Sequence, residues 1–221
     1  MSDIVYLALH FDAPLQSWGH QSKFDRRTTL PFPTRSGVIG LLCAALGVDR
    51  TDMIGLGRLE TLDVSVFVLR QGGHLTDYHT VGGGYDAKRD RQRICRRAGG
   101  GVGDTVQTWR DYLEAARFGV VVAGPRLLLN DLATSVCNPK WGIWLGRKAC
   151  IPASRLCEGI FDSEATALAQ LCAAAGIERP LRCVREVESF AEGTDTLMDR
   201  PIDFAARSFA SRRVAIGPSQ D

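Results

Sequence analysis

The chain has 221 residues, of which 45% are hydrophobic and 24% charged, with a formal net charge of +2. These proportions are ordinary for a globular protein and exclude a disordered chain. The longest apolar run is shorter than the roughly 20 residues of a membrane span and the N-terminus lacks signal-peptide features, so we expect a cytoplasmic protein without membrane contacts.

The first predicted element is a buried strand, because apolar and aromatic residues run almost unbroken from Ile4 to Phe11. A long connection follows over residues 12–33, which carries proline, glycine and several basic residues. Connections of this length without regular structure are uncommon inside a compact domain and tend to be functional.

The first predicted helix spans residues 34–46. Thr34 or Ser36 can cap its start, and Gly47 suits the position just past its end. The helix is strongly apolar, yet Arg35 lies at its start, where a positive charge opposes the helix dipole unless an anion is bound. This contrast predicts an anion site at the start of the helix.

Two further segments predict a short helix over residues 51–59 and a strand over residues 63–70. A glycine-containing turn at residues 71–74 follows, and residues 75–81 are predicted to return as the second strand of a hairpin.

A basic arm is predicted over residues 82–104, between two glycine triplets. Within it, residues 86–97 hold six Lys or Arg and two Asp, a net charge of +4, so that the rest of the chain carries −2. Such clusters are typical of phosphate-binding surfaces. The alternative is a solvated loop without a role.

The second half of the chain mixes both periodicities. Residues 105–123 are ambiguous, since Val106, Trp109 and Leu113 fit a helical stripe whereas the stretch after Phe118 fits a strand. The other predicted elements are a short helix at 130–137, strand and loop at 139–152, a capped helix at 163–175 followed by Gly176, and strands at 181–189 and 208–216. The order of elements predicts an α+β fold with a mainly antiparallel sheet, a layout found in ferredoxin-like RNA-binding proteins.

Few residues indicate catalysis or cofactor binding. The chain lacks His-Glu-x-x-His, a Walker phosphate loop and Gly-x-Ser-x-Gly. Its cysteines form no Cys-x-x-Cys pair, which argues against a structural zinc site, and their odd number argues against a disulfide framework. We expect no metal and no other cofactor. The seven cysteines are Cys43, Cys95, Cys137, Cys150, Cys157, Cys172 and Cys183.

Two kinds of RNA chemistry stay open at this point. Metal-independent cleavage needs a general base and cations, which His20 or His79 could supply together with Tyr78 and nearby arginines. Aromatic residues in basic stretches instead favour binding, since single-stranded RNA is held by stacking on rings and by arginines on phosphates. The aromatic residues concerned are Trp18, Tyr78, Tyr85 and Trp109.

Five motifs in order resemble the CasD family, the type I-E branch of the fifth Cas family and a subunit of the CRISPR surveillance complex Cascade. They are Ala13–Gly19 (APLQSWG), Pro33–Gly47 (PTRSGVIGLLCAALG), Asp77–Val81 (DYHTV), Thr105–Leu113 (TVQTWRDYL) and Leu145–Pro152 (LGRKACIP). The similarity continues into the tail, over Phe204–Arg213.

The resemblance implies a ferredoxin-like, RRM-type antiparallel sheet over residues 1–125 and a smaller β-rich C-terminal portion, 126–221, that completes the fold. It implies that the arm at 82–104 is an inserted thumb, and that residues 105–123 form two strands of a hairpin.

The function implied is a non-catalytic subunit that caps the 5′ handle of the CRISPR RNA. Its expected partners are that RNA, the backbone and large subunits of Cascade, and indirectly the target DNA. Two alternatives are a metal-independent endoribonuclease that processes repeat RNA, and a structural bridge between subunits with little RNA contact.

On this hypothesis, particular residues are expected to contact RNA. We expect Arg35 and Ser36 to hold handle phosphates or bases at the helix start, in a pocket lined by Gln16, Ser17 and Trp18. The arm is expected to reach the RNA backbone. The remaining candidates are Arg89, Arg91 and Arg93 in the arm, and Tyr78, His79, Arg147 and Lys148 elsewhere.

Overall fold

The computed structural model of the chain describes residues 3–20, 25–81 and 106–218. The predicted basic arm, with Arg89, Arg91 and Arg93, lies outside these ranges, and so does Tyr85. Within them the chain forms two antiparallel-dominated sheets and four helices, which confirms the predicted α+β class.

A seven-stranded sheet, called here the main sheet, organises the molecule. Its strand order is β10-β11-β9-β4-β7-β1-β8, and every neighbouring pair is antiparallel. Strands from both halves of the chain share it, because β8 to β11 follow residue 125. The strands are β1 (Ile4–Asp12), β4 (Asp63–Arg70), β7 (Arg117–Pro125), β8 (Cys157–Phe161), β9 (Arg182–Glu186), β10 (Asp195–Asp203) and β11 (Ser208–Gly217).

A smaller sheet is built around the long strand β6 (Val106–Glu114). Strand β5 (Gly73–Val81) pairs with it along its full length, and the two-residue strands β2 (Leu15–Gln16) and β3 (Arg26–Arg27) pair with it as well. Val81 lies opposite Val106, so the two residues that flank the segment 82–105 are neighbours in the small sheet.

The four helices cover the two faces of the main sheet. Alternate residues of β1, such as Leu7 and Leu9, join α1 to α3 in one large apolar core, whereas Ala8 packs with α4 on the other face. This alternation follows from the two-residue period of a strand. The helices are α1 (Arg35–Leu46), α2 (Met53–Glu60), α3 (Arg126–Cys137) and α4 (Glu164–Ala175).

Helix boundaries agree well with the sequence. The hydroxyl of Thr34 caps α1 by accepting from the Gly37 amide, and Gly47 ends the helix in the left-handed conformation at φ 77°. Ser163 and Gly176 act in the same way at the two ends of α4. The predictions of these two helices, and of the short helix that is now α2, are confirmed.

The predicted strand pairings need two corrections. Strands β4 and β5 are consecutive in the chain but belong to different sheets, so they do not form the predicted hairpin. Strands β6 and β7 confirm the two strands implied for residues 105–123, yet they also lie in different sheets rather than in one hairpin. In both cases the chain crosses between sheets within a few residues, and periodicity carries no information about which sheet a strand joins.

Three differences concern the second half of the chain. Residues 139–152 form an irregular loop, without the predicted strand. Strands β8 and β10 were not predicted, and the structure places both at edges of the main sheet. No helix in the described ranges has the length and apolar character that crossing a membrane requires.

Candidate nucleic-acid interface

The start of helix α1 does hold an anion, and that anion belongs to the chain itself. The Asp199 carboxylate accepts a hydrogen bond from the backbone amide of Arg35 at 2.8 Å. Asp199 is 3% exposed, and the Arg212 guanidinium donates to both of its oxygens, at 2.6 and 3.0 Å. The helix dipole is therefore complemented from inside the fold by a residue on β10.

The Arg35 side chain points into the protein, which corrects its predicted role as a phosphate contact. It is 4% exposed and donates to the backbone carbonyls of Glu60 and Leu62 at 2.8 and 3.0 Å. Carboxylate oxygens of Glu60 and Glu186 lie 3.6 Å from its nitrogens. With its charge compensated and its donors directed inward, Arg35 cannot reach an external phosphate in this conformation. We refer to Arg35, Glu60, Asp199 and Arg212, together with the exposed Glu186 at their margin, as the buried charge cluster.

The side chains of the segment 16–18 are all buried, with Gln16 at 0%, Ser17 at 2% and Trp18 at 1% exposure, although Ser17 and Trp18 also border a cavity described below. Gln16 is fully buried, and its amide nitrogen donates to the carbonyls of Phe11 and Ala116 at 3.1 and 2.9 Å. Trp18 stacks on Phe11 with ring centroids 5.5 Å apart, and its indole N–H donates to Gln16 Oε1. Gln16 therefore has a structural role, because its amide nitrogen and oxygen already form hydrogen bonds within the protein.

The loop at 144–150 docks tightly against this segment. The Ser17 amide donates to the Leu145 carbonyl at 3.1 Å. Gly146 has φ 98°, and a Cβ atom there would lie 1.7 Å from the Ser17 carbonyl oxygen. Only glycine fits this close approach of two backbones. The motif that contains Gly146 thus serves to seat Arg147 beside Ser17.

Arg147 is anchored by backbone carbonyls and an aromatic ring. Its guanidinium donates to the carbonyls of Asp111 and Arg27 at 3.0 and 2.7 Å, and it lies 4.6 Å from the ring centroid of Tyr112. The hydroxyl of Ser17 donates to the same Asp111 carbonyl at 3.0 Å. In the described part of the chain no carboxylate lies within ion-pair distance of Arg147, so its charge is locally uncompensated.

A groove brings several of the predicted residues together. It is a cavity of about 270 Å³, and Ser17, Trp18, Ser36 and Arg147 all contribute to its walls. Arg27, absent from the predictions, lines it as well. We call this cavity the basic groove. The other lining residues are Gly19, Thr34, Gly37, Gly146, Phe204 and Phe209.

A second cavity, of about 400 Å³, adjoins the basic groove along helix α1. The two cavities share Ser36, Gly37, Gly146 and Phe204. The second is bounded by the exposed rings of Trp141 and Trp144. The Lys148 amine lies 5.7 Å from the Trp144 ring centroid. Apolar rings thus adjoin cations at this surface, a combination that suits nucleobases next to phosphates.

The small sheet presents another aromatic and cationic row. Tyr78 on β5 lies opposite Trp109 on β6, with ring centroids 5.4 Å apart, and Arg26 on β3 lies opposite Trp109 from the other side. The Arg26 guanidinium is 6.0 Å from the Trp109 ring. Tyr78 is 52% exposed, so its ring is open to a stacking ligand. We call Tyr78, Trp109 and Arg26 the aromatic row.

The two histidine candidates lie in different parts of the described fold. His79 Nδ1 lies 3.7 Å from the Asp77 carboxylate on the exposed strand β5. His20 accepts a hydrogen bond from Thr28 through its backbone carbonyl, at the margin of the described residues. Within the described ranges, no cluster of three or more His, Cys, Asp or Glu side chains could hold a metal ion.

Sequence reasoning missed three of the exposed groups at this surface. Arg26 and Arg27 lie in the long connection, whose length alone indicates a functional segment without indicating which residues act. Trp144 lies immediately before the motif that contains Arg147 and Lys148. The Arg26-Arg27 pair, beside segments bounded by proline and glycine, was a signal in the sequence. The pairing of these two residues with β6 could not be predicted from it.

Comparisons with known proteins agree on one family. A family model described as CRISPR-associated protein (Cas_Cas5) matches residues 6–215. The CRISPR system Cascade subunit CasD of Escherichia coli (strain K12) is 34% identical over 160 residues, which span 66% of this chain and 66% of that protein. The alignment thus leaves about a third of the E. coli protein unmatched.

Two solved structures cover almost the whole chain. A chain of a CRISPR RNA-guided surveillance complex superposes with a TM-score of 0.80 at 32% identity, over 97% of this chain and 90% of that one. A crystal structure of a Cas protein gives a TM-score of 0.68 at 30% identity, over 96% and 94%. The resemblance identified from the five motifs is confirmed.

Proposed function

Since this chain belongs to the CRISPR-associated Cas5 family, we propose that it is a non-catalytic RNA-binding subunit of a type I-E Cascade surveillance complex. Similarity to a protein named as a Cascade subunit and to a chain of an RNA-guided surveillance complex supports assembly into such a complex. In that setting its ligand is the CRISPR RNA, its protein partners are the backbone and large subunits, and it meets target DNA only indirectly. It acts in the cytoplasm and needs no cofactor.

The observation that carries this proposal is the basic groove. It combines the Ser36 hydroxyl with the guanidinium of Arg147, whose charge is not matched by a nearby carboxylate of the described chain. Charge-assisted donors beside hydroxyls are suited to phosphate oxygens. The phosphates of the 5′ handle therefore bind in the basic groove. They do not bind at the start of α1, because Asp199 already occupies that position.

Bases of the same RNA strand have aromatic surfaces within the described fold. The adjoining cavity offers Trp141 and Trp144, and the aromatic row offers Tyr78 and Trp109. Stacking on such rings tolerates any base and contributes about 1–3 kcal/mol per base. In the arm, Arg89, Arg91 and Arg93 add contacts to the RNA backbone.

A salt titration of RNA binding tests the groove. We expect Arg147→Ala to weaken filter binding of a single-stranded 5′-handle oligonucleotide and to lower the slope of log affinity against log salt by about 0.7 for each phosphate that Arg147 neutralises. Arg179→Ala is the matched control, because Arg179 is exposed on the loop after α4, on the far side of the main sheet. Equal slopes for both variants and the unmodified chain would exclude Arg147 as a phosphate contact.

Cleavage is tested separately. The purified chain is incubated with its repeat RNA in EDTA, and we expect the RNA to stay intact. A single cleavage site that disappears in His79→Ala or His20→Ala would replace the proposal with the endoribonuclease alternative. Unchanged affinity in an Arg89, Arg91 and Arg93 triple alanine variant would remove the arm from the RNA interface.

A further inference from the structure

The small sheet separates the aromatic row from part of the basic groove. Side chains alternate between the two faces along a strand, and residues paired across neighbouring strands share a face. Trp109 is paired with Tyr78 on one side and with Arg26 on the other, so the aromatic row occupies a single face. The next residue of β6, Arg110, is paired with Arg27. Arg27 therefore belongs to the opposite face.

Side-chain contacts agree with this division. The Arg26 guanidinium approaches the Trp109 ring, whereas Arg27 lines the basic groove. Arg147, the other arginine of the groove, lies against the ring of Tyr112. Tyr112 follows Trp109 by three positions in β6, and an odd number of steps along a strand leads to the opposite face. Both groove arginines thus lie across the sheet from the aromatic row.

Strand β3 forms the edge between these two faces. It pairs with β6 and with no other strand that the structure describes. Its two residues, Arg26 and Arg27, are exposed and directed to opposite faces. In the described ranges no carboxylate lies within ion-pair distance of either guanidinium. The β3 edge therefore offers one unneutralised cation to each face.

The opposite edge of the small sheet is less suited to a chain of phosphates. That edge is strand β5, whose nine residues include no lysine or arginine and one aspartate, Asp77. Phosphates are attracted by lysine and arginine, and carboxylates repel them. A nucleic-acid strand that passes from one face to the other is therefore favoured at β3.

We propose that a single strand of RNA crosses from the basic groove to the aromatic row over β3. Arg27 binds a phosphate on the groove side, and Arg26 binds a phosphate on the side where bases stack on Trp109 and Tyr78. The strand thus wraps around the edge of the small sheet instead of lying on one face. The crossing rests on the proposed RNA-binding function, to which it adds the path of the strand and a role for Arg26 and Arg27.

Photo-crosslinking traces this path. RNAs of about 16 nucleotides, long enough for a single-strand site, contain the 5′ handle and one photoreactive thiouridine at successive positions. After crosslinking to the purified chain, the attached peptides are mapped. We expect one group of positions to attach near Trp144 or Arg147, and a separate group near Tyr78 or Trp109. Attachment to one face alone would overturn the crossing and leave the proposed function standing, whereas RNA that does not bind at all would contradict both.

Salt titrations show at which edge the strand crosses. Arg26→Ala and Arg27→Ala should each lower the slope of log affinity against log salt by about 0.7, and both should fold normally because the two side chains are exposed. Arg26→Lys should keep the slope, since it retains the charge, and Arg179→Ala should bind like the unmodified chain. In Arg26→Ala, crosslinks to the aromatic row should decrease while those to the groove persist. Unchanged slopes, with crosslinks to both faces, would move the crossing away from β3 and overturn the proposal.

Discussion

The buried charge cluster and the basic groove use the same residue type in opposite ways. In the cluster, Arg35 and Arg212 are only 4% and 6% exposed and face carboxylates of Glu60, Glu186 and Asp199. In the groove, Arg147 is held by backbone carbonyls and a tyrosine ring. The guanidinium of the groove is positioned by the described fold but not neutralised by it.

This difference separates a role in folding from the binding role proposed for the groove. A carbonyl carries a partial charge, so it orients an arginine without cancelling its full positive charge, and the remaining attraction is available to a phosphate. A buried carboxylate cancels the charge and fixes the fold instead. Mutations in the cluster should therefore change stability, and mutations around the groove should change RNA affinity.

Asp199→Ala is expected to have the largest effect. It leaves the buried guanidinium of Arg212 without its closest partner and the Arg35 amide without an acceptor, and breaking such a pair typically costs about 3–5 kcal/mol. Urea unfolding of the free chain measures the loss. Asp195→Ala is the control, because Asp195 is exposed on the same strand, and it should change the unfolding free energy by less than about 0.5 kcal/mol. Similar values for both variants would contradict the assignment of Asp199 to the helix start.

Gly146→Ala is expected to have the next largest effect, and on both properties. The new methyl group would overlap the Ser17 carbonyl, and the φ of 98° is strained for any side chain. Strain of this kind costs about 1–3 kcal/mol, and the displaced loop moves Arg147 away from Ser17. We expect a lower unfolding free energy together with weaker binding of the handle oligonucleotide.

Its matched control is Gly57→Ala, which lies inside α2 with no atom within 4 Å of the added methyl group. That change should stabilise the chain slightly, because alanine favours a helix. If Gly146→Ala keeps full affinity, the position of Arg147 does not depend on the close approach at Ser17.

The features that could be predicted from the sequence are those determined by interactions between residues close together in the chain. Helix α1 was predicted with its Thr34 cap and Gly47 end, because capping acts within a few residues of the chain. The anion at its start was expected from the dipole, but its identity was not, since Asp199 lies 164 residues away from Arg35. The residues at the start of α1 indicated that an anion was needed there, whereas only the tertiary fold determined that Asp199 supplies it.

The same limit applies to the sheets and the groove. Strands β4 and β5 were found from their residue types, whereas their separation into two sheets depends on pairing with β7 and β6. Arg35 and Arg147 look alike in sequence, each following a small residue in a family motif. The carboxylates near one and the carbonyls near the other come from distant segments, so the sequence could not show that Arg35 points inward while Arg147 lines the groove.

Tyr78→Ala should have a smaller effect, confined to RNA. Tyr78 is exposed and its ring faces Trp109, so the change removes a stacking surface from the small sheet without leaving a buried cavity. We expect affinity for the handle oligonucleotide to fall by about 1 kcal/mol with an unchanged salt slope, because the phosphates stay neutralised by the same cations. Thr80→Ala, two residues further on the same face of β5, should bind like the unmodified chain. A reduced slope in Tyr78→Ala would show that the aromatic row acts through charge rather than stacking.

His10 gives the smallest expected effect. It represents a third type of buried polar group, because its ring nitrogen Nε2 hydrogen-bonds to neither a carboxylate nor a carbonyl of the described residues. It is 4% exposed on β1, and its Nε2 has no hydrogen-bond partner among the described residues. Burial lowers the pKa of His10, against the attraction of Asp12 and Glu158 and together with the repulsion of Arg117.

The sign of the pH dependence follows from which state binds the proton. As the pH falls below about 6.5, the unfolded chain protonates His10 while the folded chain does not. The folded state therefore loses stability relative to neutral pH, and the loss continues until the pH reaches the lowered pKa of His10 in the folded chain. One proton limits the slope to about 1.4 kcal/mol per pH unit. Urea midpoints between about pH 5 and 8 should therefore fall less steeply in His10→Gln than in the unmodified chain. His74→Gln, whose side chain is 62% exposed, controls for removing a histidine. If His10→Gln and the unmodified chain lose stability in parallel, the acid sensitivity arises from other groups, and an unpaired buried histidine is tolerated here at no pH-dependent cost.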